Sequence, residues 1–326
     1  VLVVEKVLSA DLLARIRAET PGIGHSTHLL ACGSSLTPQP VLDAVIDHLR
    51  LEAEIGGYEA HAARLPQLEA VYDKVAGHIG ADRREIALVE NATVAWCQAF
   101  YALPLPEGSR VLTCESEYVS NYLAFLQRQK RDGFRIEVIP SDASGALDVA
   151  ALEATMGEDV ALIAMTWVPT SGGLVNPAAE VGRIAKAHGV PYLLDACQAV
   201  GQLKIDVAAL GCDFLSATGR KFLRGPRGTG FLYVADDWID RIEPPVIDLH
   251  AAEWVSRDDY RLRPDARRFE NWENPYARHA GLGAAIDYAD AIGAHYAMIL
   301  QEDGSPKSLV ADAKTAGLEG VHAWTV

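Results

Sequence analysis

Residues 213–234 read DFLSATGRKFLRGPRGTGFLYV. The two ends, Asp213–Ala217 and Gly230–Val234, are short apolar runs of strand type. Between them a turn-rich segment is punctuated by Gly219, Gly225, Pro226 and Gly228, with Gly230 opening the second run. Lys221 stands in that segment, just past the first run. A lysine held on stiff backbone at a strand end can form a Schiff base with a carbonyl cofactor. Upstream, the apolar run Val190–Leu194 ends at Asp195 and continues into Ala196, Cys197 and Gln198. Asp195 and Lys221 are 26 residues apart, room for one helix and one strand. A carboxylate and a lysine at neighbouring strand ends suit pyridoxal 5'-phosphate: the carboxylate keeps the pyridine nitrogen protonated and the lysine holds the aldehyde.

DACQAVGQLKID (residues 195–206) followed by DFLSATGRKFLRGPRGTGFLYV resembles the class V aminotransferase group of fold-type I pyridoxal phosphate enzymes. That group includes cysteine desulfurases, isopenicillin N epimerase-like proteins and the carbon–sulfur lyases of ergothioneine-type pathways. The likeness runs from about Thr20 to Gly293. It implies an α/β fold of the fold-type I transferase class: a seven-stranded, mostly parallel sheet covered by helices, plus a smaller terminal domain. The implied division is 1–40 as an N-terminal segment packing with the small domain, 41–245 as the large cofactor-binding domain, and 246–326 as a shortened small domain.

Composition narrows the remaining possibilities. At 326 residues the chain could hold one large domain or two smaller ones, and 49% hydrophobic residues are ample for a core. A net charge of −15 argues against nucleic acid or an anionic membrane as partner, since phosphate binding needs basic clusters. Five cysteines (Cys32, Cys97, Cys114, Cys197, Cys212) form no CxxC pair and no metal-ligand spacing, as expected of thiols in a reducing compartment. His25 and His28 lack a third ligand, so no metal site is expected. No run is long enough to span a membrane and no secretory signal opens the chain, which leaves a cytoplasmic enzyme as the expectation.

The apolar runs set out the architecture. A helix is expected over Ala10–Ala18 and another from Pro40; Ile55–His61, IGGYEAH, reads as a loop between two helices. From Ile86 onward strands (Ile86–Val89, Val111–Cys114, Ile136–Ile139, Val160–Met165, Val190–Leu194, Asp213–Ala217, Gly230–Val234) are spaced mostly by helices (Asn91–Leu103, Tyr118–Arg131, Val149–Met156, Pro177–His188). Continuous apolar strands separated by helices predict a mostly parallel sheet with both faces covered, and ligands at the strands' carboxyl ends. After Asp236 comes a polar stretch, Ser256–Glu273, then a helix, Ala277–Ile292; residues 301–307 read as a break and Val321–Val326 as the start of a strand.

The resemblance assigns roles to residues one by one. Lys221 is the implied Schiff-base lysine and proton shuttle, where spacing alone would allow an exposed loop lysine. Asp195 pairs with the pyridine nitrogen, although an aspartate at a strand end is often only a helix cap. Gln198 and Thr170 fall near the cofactor's phenolic oxygen. Ala92 and Thr93 open a helix whose N-terminus would bind the phosphate, helped by Thr218 and Arg220; without the family, ENAT would be an ordinary cap. Tyr118 holds the place of a ring stacked on the cofactor, and Tyr58 and His61 that of a substrate-facing loop. Asn271, Trp272 and Asn274 are candidates for a contact to a partner subunit's phosphate, and Arg227, Arg267 and Arg268 for the substrate carboxylate. The glycines at 225, 228 and 230 follow no strand–turn–helix pattern, so they do not make a dinucleotide site.

These residues point to chemistry on a small-molecule amino-acid substrate, in a homodimer by resemblance. The leading expectation is a carbon–sulfur lyase performing β-elimination on a cysteine S-conjugate or related sulfur amino acid. The alternative is an amino-acid epimerase or aminotransferase of the same family. A cysteine desulfurase takes sulfur onto a late cysteine, and no cysteine follows Cys212 here. A non-catalytic cofactor-binding module would be expected to lack the lysine or the aspartate, and both are present.

Overall fold

The computed structural model describes residues 9–25, 28–170 and 173–293. Helix α1 (Ala10–Ala18) opens where the Ser9 hydroxyl accepts the Leu12 amide. Helix α2 (Gln39–Ile55) carries Pro40 in its first turn, where a missing N–H costs nothing. Helix α3 (Gly57–Ile79) then leads into the alternating part: β1 (Ile86–Val89), α4 (Ala92–Ala102), β2 (Arg110–Cys114), α5 (Val119–Asp132), β3 (Arg135–Ile139), α6 (Val149–Thr155), β4 (Val160–Thr166), α7 (Ala178–His188), β5 (Tyr192–Asp195), α8 (Val207–Leu210), β6 (Phe214–Thr218) and β7 (Gly230–Val234). Helix α9 (Asp236–Ile239), strands β8 (Ala252–Ser256) and β9 (Asp259–Leu262), and helix α10 (Tyr276–Ile292) follow.

All seven strands expected from the apolar runs join one sheet, in the order β1-β7-β6-β5-β4-β2-β3. β7 runs antiparallel to both neighbours, and every other pairing is parallel. Neighbouring residues along a strand point to opposite faces, and the core divides accordingly. Leu194 and Leu215 pack with Val181, Ile184, Leu282 and Ile286 on one side. Leu193 and Phe214 pack with Trp96, Phe100 and Phe125 on the other. Burial on both faces is why these strands read as unbroken apolar runs.

Two expectations need correction. Ile55–His61 is not a loop: Gly56, at φ 100°, alone supplies the left-handed turn that ends α2, and α3 begins at the next residue. Tyr58 and His61 therefore lie in the first turns of a helix. Nor is the stretch that begins at Ser256 merely polar, because β8 and β9 pair as an antiparallel hairpin over 252–262. Its side chains are almost all exposed, so no alternation of apolar and polar residues marks it. Helix α10 packs on α2 and α3. The break at 301–307 and the strand at Val321–Val326 lie outside the described residues. No helix among the described residues is long and apolar enough to cross a membrane.

Glu270 ties the segment after β9 to the sheet. Its buried carboxylate accepts the Leu88 amide (2.7 Å) and the Tyr72 hydroxyl (2.9 Å), and meets His250 Nε2 at 3.0 Å. The crevice itself falls where the strand order reverses, between β2 and β4, and extends across the carboxyl ends of β5 and β6. A close backbone contact fixes the two loops there. Gly201, at φ 90°, lies so near the chain after Lys221 that a Cβ would sit 2.4 Å from the Leu223 nitrogen and 2.5 Å from the Phe222 carbonyl carbon. Gly201→Ala is expected to destabilise the fold by about 1–3 kcal/mol, read as a lower midpoint in urea unfolding.

Candidate active site

β5 ends at Asp195, in register with Thr166 of β4 and Ser216 of β6. The Asp195 side chain is buried. Its Oδ2 accepts Asn121 Nδ2 at 2.8 Å and its Oδ1 accepts the Cys197 amide at 2.9 Å. Burial pushes the carboxyl above the ordinary range, while those two donors and the Lys221 charge oppose the shift. Lys221, three residues past β6, is also buried, at 6% exposure. Its Nζ lies 5.8 Å from the centre of the Tyr118 ring. The Cys197 thiol interacts with both Asp195 and Lys221. Burial and the neighbouring Asp195 carboxylate push it up to about 11, against a hydrogen bond and charge from Lys221.

Gln198 sits in the turn after β5. Its Nε2 donates to Thr170 Oγ1 (3.0 Å) and to the Cys32 carbonyl (3.1 Å), while its buried Oε1 has no partner among the described residues. The residues assigned to the phenolic oxygen are thus brought into contact. At α4, Asn91 Oδ1 caps the Val94 amide. The amides of Ala92 and Thr93, in the first turn, have no carbonyl four residues back to bond, so they form the positive end of the helix. This end abuts β6 and β7: a Cβ on Gly230 would lie 2.9 Å from the Asn91 carbonyl carbon and 2.5 Å from the Ala217 oxygen. Thr218, paired with Gly230 in the ladder, donates its hydroxyl to the Thr229 carbonyl (3.2 Å).

Arg220 ties the site to the N-terminal segment: its guanidinium donates to the Gly33 carbonyl and its own carbonyl accepts the Ser35 amide, while its charge opposes the rise at the Cys197 thiol. Tyr58 is 77% exposed, and the His61 ring lies against Tyr276 at the start of α10, 4.2 Å between centres. Neither joins the strand-end cluster. Of the three candidate arginines, Arg267 pairs with Glu69 at 2.6 Å, and Arg268 donates to the Arg263 and Ile239 carbonyls and to Asp240. Arg227 is exposed and has no such partner among the described residues. In the 271–274 turn, the Trp272 amide donates to Asp248 and Asn274 donates to the Asn271 carbonyl.

The sequence reading passed over Glu117 and Asn121. The Glu117 carboxylate accepts Thr113 Oγ1 (2.9 Å), the Thr166 amide (3.1 Å) and hydroxyl, the Tyr118 amide (2.8 Å) and Asn121 Nδ2 (2.8 Å). Burial pushes its carboxyl up, against the hydrogen bonds from Thr166, Asn121 and Thr113. The only local signal is a Glu and an Asn four residues apart at a helix start, a pattern that also suits a solvated helix end.

A buried amine, a buried carboxylate, an amide with an unpartnered oxygen, an aromatic ring and a helix N-terminus converge on one crevice. This donor set fits a phosphorylated pyridine aldehyde: each end of that molecule meets a group of the right charge. Residues 27–303 match the family described as Aminotransferase class-V. A probable cysteine desulfurase of Methanothermobacter thermautotrophicus is 30% identical over 312 residues, 95% of this chain and 77% of the relative. The apo structure of a cysteine desulfurase from Thermococcus onnurineus superposes with a TM-score of 0.81 at 29% identity, over 88% of this chain and 72% of that one. C-DES, a cystine C–S lyase, shares the fold at 22% identity (TM-score 0.80, 86% of this chain and 75% of that one). It was solved as a lysine-to-alanine variant with glycine covalently linked to the pyridoxal phosphate cofactor. The chain belongs to the class V aminotransferase family and is a pyridoxal phosphate-dependent enzyme.

Proposed function

We propose that this enzyme is a carbon–sulfur lyase acting by β-elimination on a cysteine S-conjugate or related sulfur amino acid. Substrate and water give pyruvate, ammonia and a thiol. The observation that carries the reading is the placement of Lys221, a buried amine beside Asp195 and Cys197 with the Tyr118 ring facing it. When bound, the cofactor supplies an electron sink that makes the substrate Cα–H acidic and lets a β-substituent leave. Lys221 would hold the cofactor's aldehyde and, with its amine free, would take the substrate Cα proton as general base. Asp195 keeps the proton on the pyridine nitrogen. Gln198 and Thr170 would hold the phenolic oxygen; the Ala92 and Thr93 amides would hold the phosphate, with the Thr218 hydroxyl joining them only by leaving the Thr229 carbonyl. Tyr118 covers one face of the ring. Arg227, exposed and without an ion pair among the described residues, is our choice for the substrate carboxylate. We keep the division at residues 40 and 245, and a homodimer, as parts of the same proposal.

The names of the relatives support chemistry at the carbon–sulfur bond of cysteine. They also favour a second reading, a cysteine desulfurase, and Cys197 beside Lys221 places a thiol in the crevice. One assay separates the two. With L-cysteine, cystine and aryl cysteine conjugates, the lyase is expected to form pyruvate and ammonia in equal amounts with thiol release. Alanine in place of pyruvate would assign the desulfurase, and neither product from any of these substrates would overturn both. Lys221→Ala is expected to lower turnover by about 10²–10⁴-fold or more. Borohydride, which fixes the cofactor to the peptide containing Lys221 in the natural enzyme, should leave that peptide unmodified in the variant.

A further inference from the structure

We infer that Asn121 is the positioning residue of Asp195, held in turn by Glu117, so that one amide bridges two carboxylates behind the cofactor's ring nitrogen. The inference rests on the reading of Asp195 given above. Asn121 is buried, at 3% exposure, and its Nδ2 lies 2.8 Å from Glu117 Oε1 and 2.8 Å from Asp195 Oδ2. Both neighbours are acceptors, which fixes the amide with its nitrogen between them and gives each N–H its own carboxylate.

The choice of side chain is chemically specific. A hydroxyl has one proton and could serve only one of the two oxygens. A lysine or arginine could serve both, but its positive charge would neutralise Asp195 and weaken its hold on a protonated pyridine. A neutral amide orients Asp195 and leaves its charge intact. Glu117 accepts from the Tyr118 amide and Asn121 and bonds the Thr113 and Thr166 hydroxyls, so its carboxyl is held from four sides and offers Asn121 a fixed acceptor. Because Glu117 also holds the Tyr118 amide, one carboxylate sets both the ring-face aromatic and the donor to Asp195.

The test compares Asn121→Ala, Glu117→Gln and Asp195→Ala with the natural enzyme. Each apoprotein is titrated with pyridoxal phosphate, the visible absorption band of the bound cofactor is recorded, and kcat, KM and the apoprotein Tm are measured. Asn121→Ala is expected to weaken cofactor binding about 10- to 100-fold, shift the absorption band in the direction seen for Asp195→Ala, and lower kcat with little change in KM. Glu117→Gln is expected to move the same readouts in the same direction. If Asn121→Ala does not fold, Asn121→Ser, which keeps one donor, takes its place and should show a smaller shift of the same sign. A lowered Tm with cofactor affinity and absorption band unchanged would overturn the inference. If Asp195→Ala is impaired while Asn121 and Glu117 variants match the natural enzyme, the positioning role falls and the Asp195 assignment stands. If Asp195→Ala itself binds cofactor normally, both fall.

Discussion

Negative charge withdrawn from water governs this crevice. A carboxylate at a strand end loses its hydration, and only donors already in place offset that loss. Asp195 is satisfied by an amide from α5 and a backbone N–H of its own turn. Glu117 is satisfied by β2, β4 and the start of α5. The donors come from β2, β4, α5 and the turn after β5, so the carboxylates sit properly only when all of these are in place. The positive groups follow: Lys221 from the end of β6, and the N-terminus of α4 pressed against β6 and β7. The polar groups lie at the ends of central strands whose side chains are mostly apolar on both faces.

This division of labour explains what the sequence made legible. Most of the strands are readable because burial on two faces demands unbroken apolar runs; β3, at the sheet edge and buried only at Ile139, is the exception, yet all seven runs lie in the structure within two residues of their expected bounds. The hairpin of β8 and β9 escapes because nothing covers it; its pairing is a matter of backbone, which leaves no trace in side-chain pattern. The turn at Gly56 was overestimated, since a glycine pair suggests a loop when one glycine at positive φ is enough.

At the site, the same logic separates residues that could be read from those that could not. Asp195, Gln198 and Lys221 lie directly past strand ends, where local sequence and family resemblance coincide. Glu117 and Asn121 acquire their meaning from Thr166 and Asp195, which the fold brings up from 49 and 74 residues away. Arg220 bonds the carbonyl of Gly33, a partner that nothing in its local sequence announces. Arg267 likewise appears free to clamp a substrate, but Glu69 on α3 is already paired with it. Spacing along a chain does not reveal which ions have found partners.

The N-terminal stretch around Cys32 has a final consequence. Gln198 bonds Cys32 across 166 residues, Arg220 bonds Gly33 across 187, and Arg224 reaches Leu36 across 188 and Thr20 across 204. These are contacts of very high sequence separation, the kind that form slowly because a long chain must be closed on itself first. During synthesis this stretch leaves the ribosome long before the residues that fasten it. The floor of the crevice can assemble as the sheet grows, whereas its N-terminal wall must wait for the loop at 220–224, making that wall a late event in biogenesis.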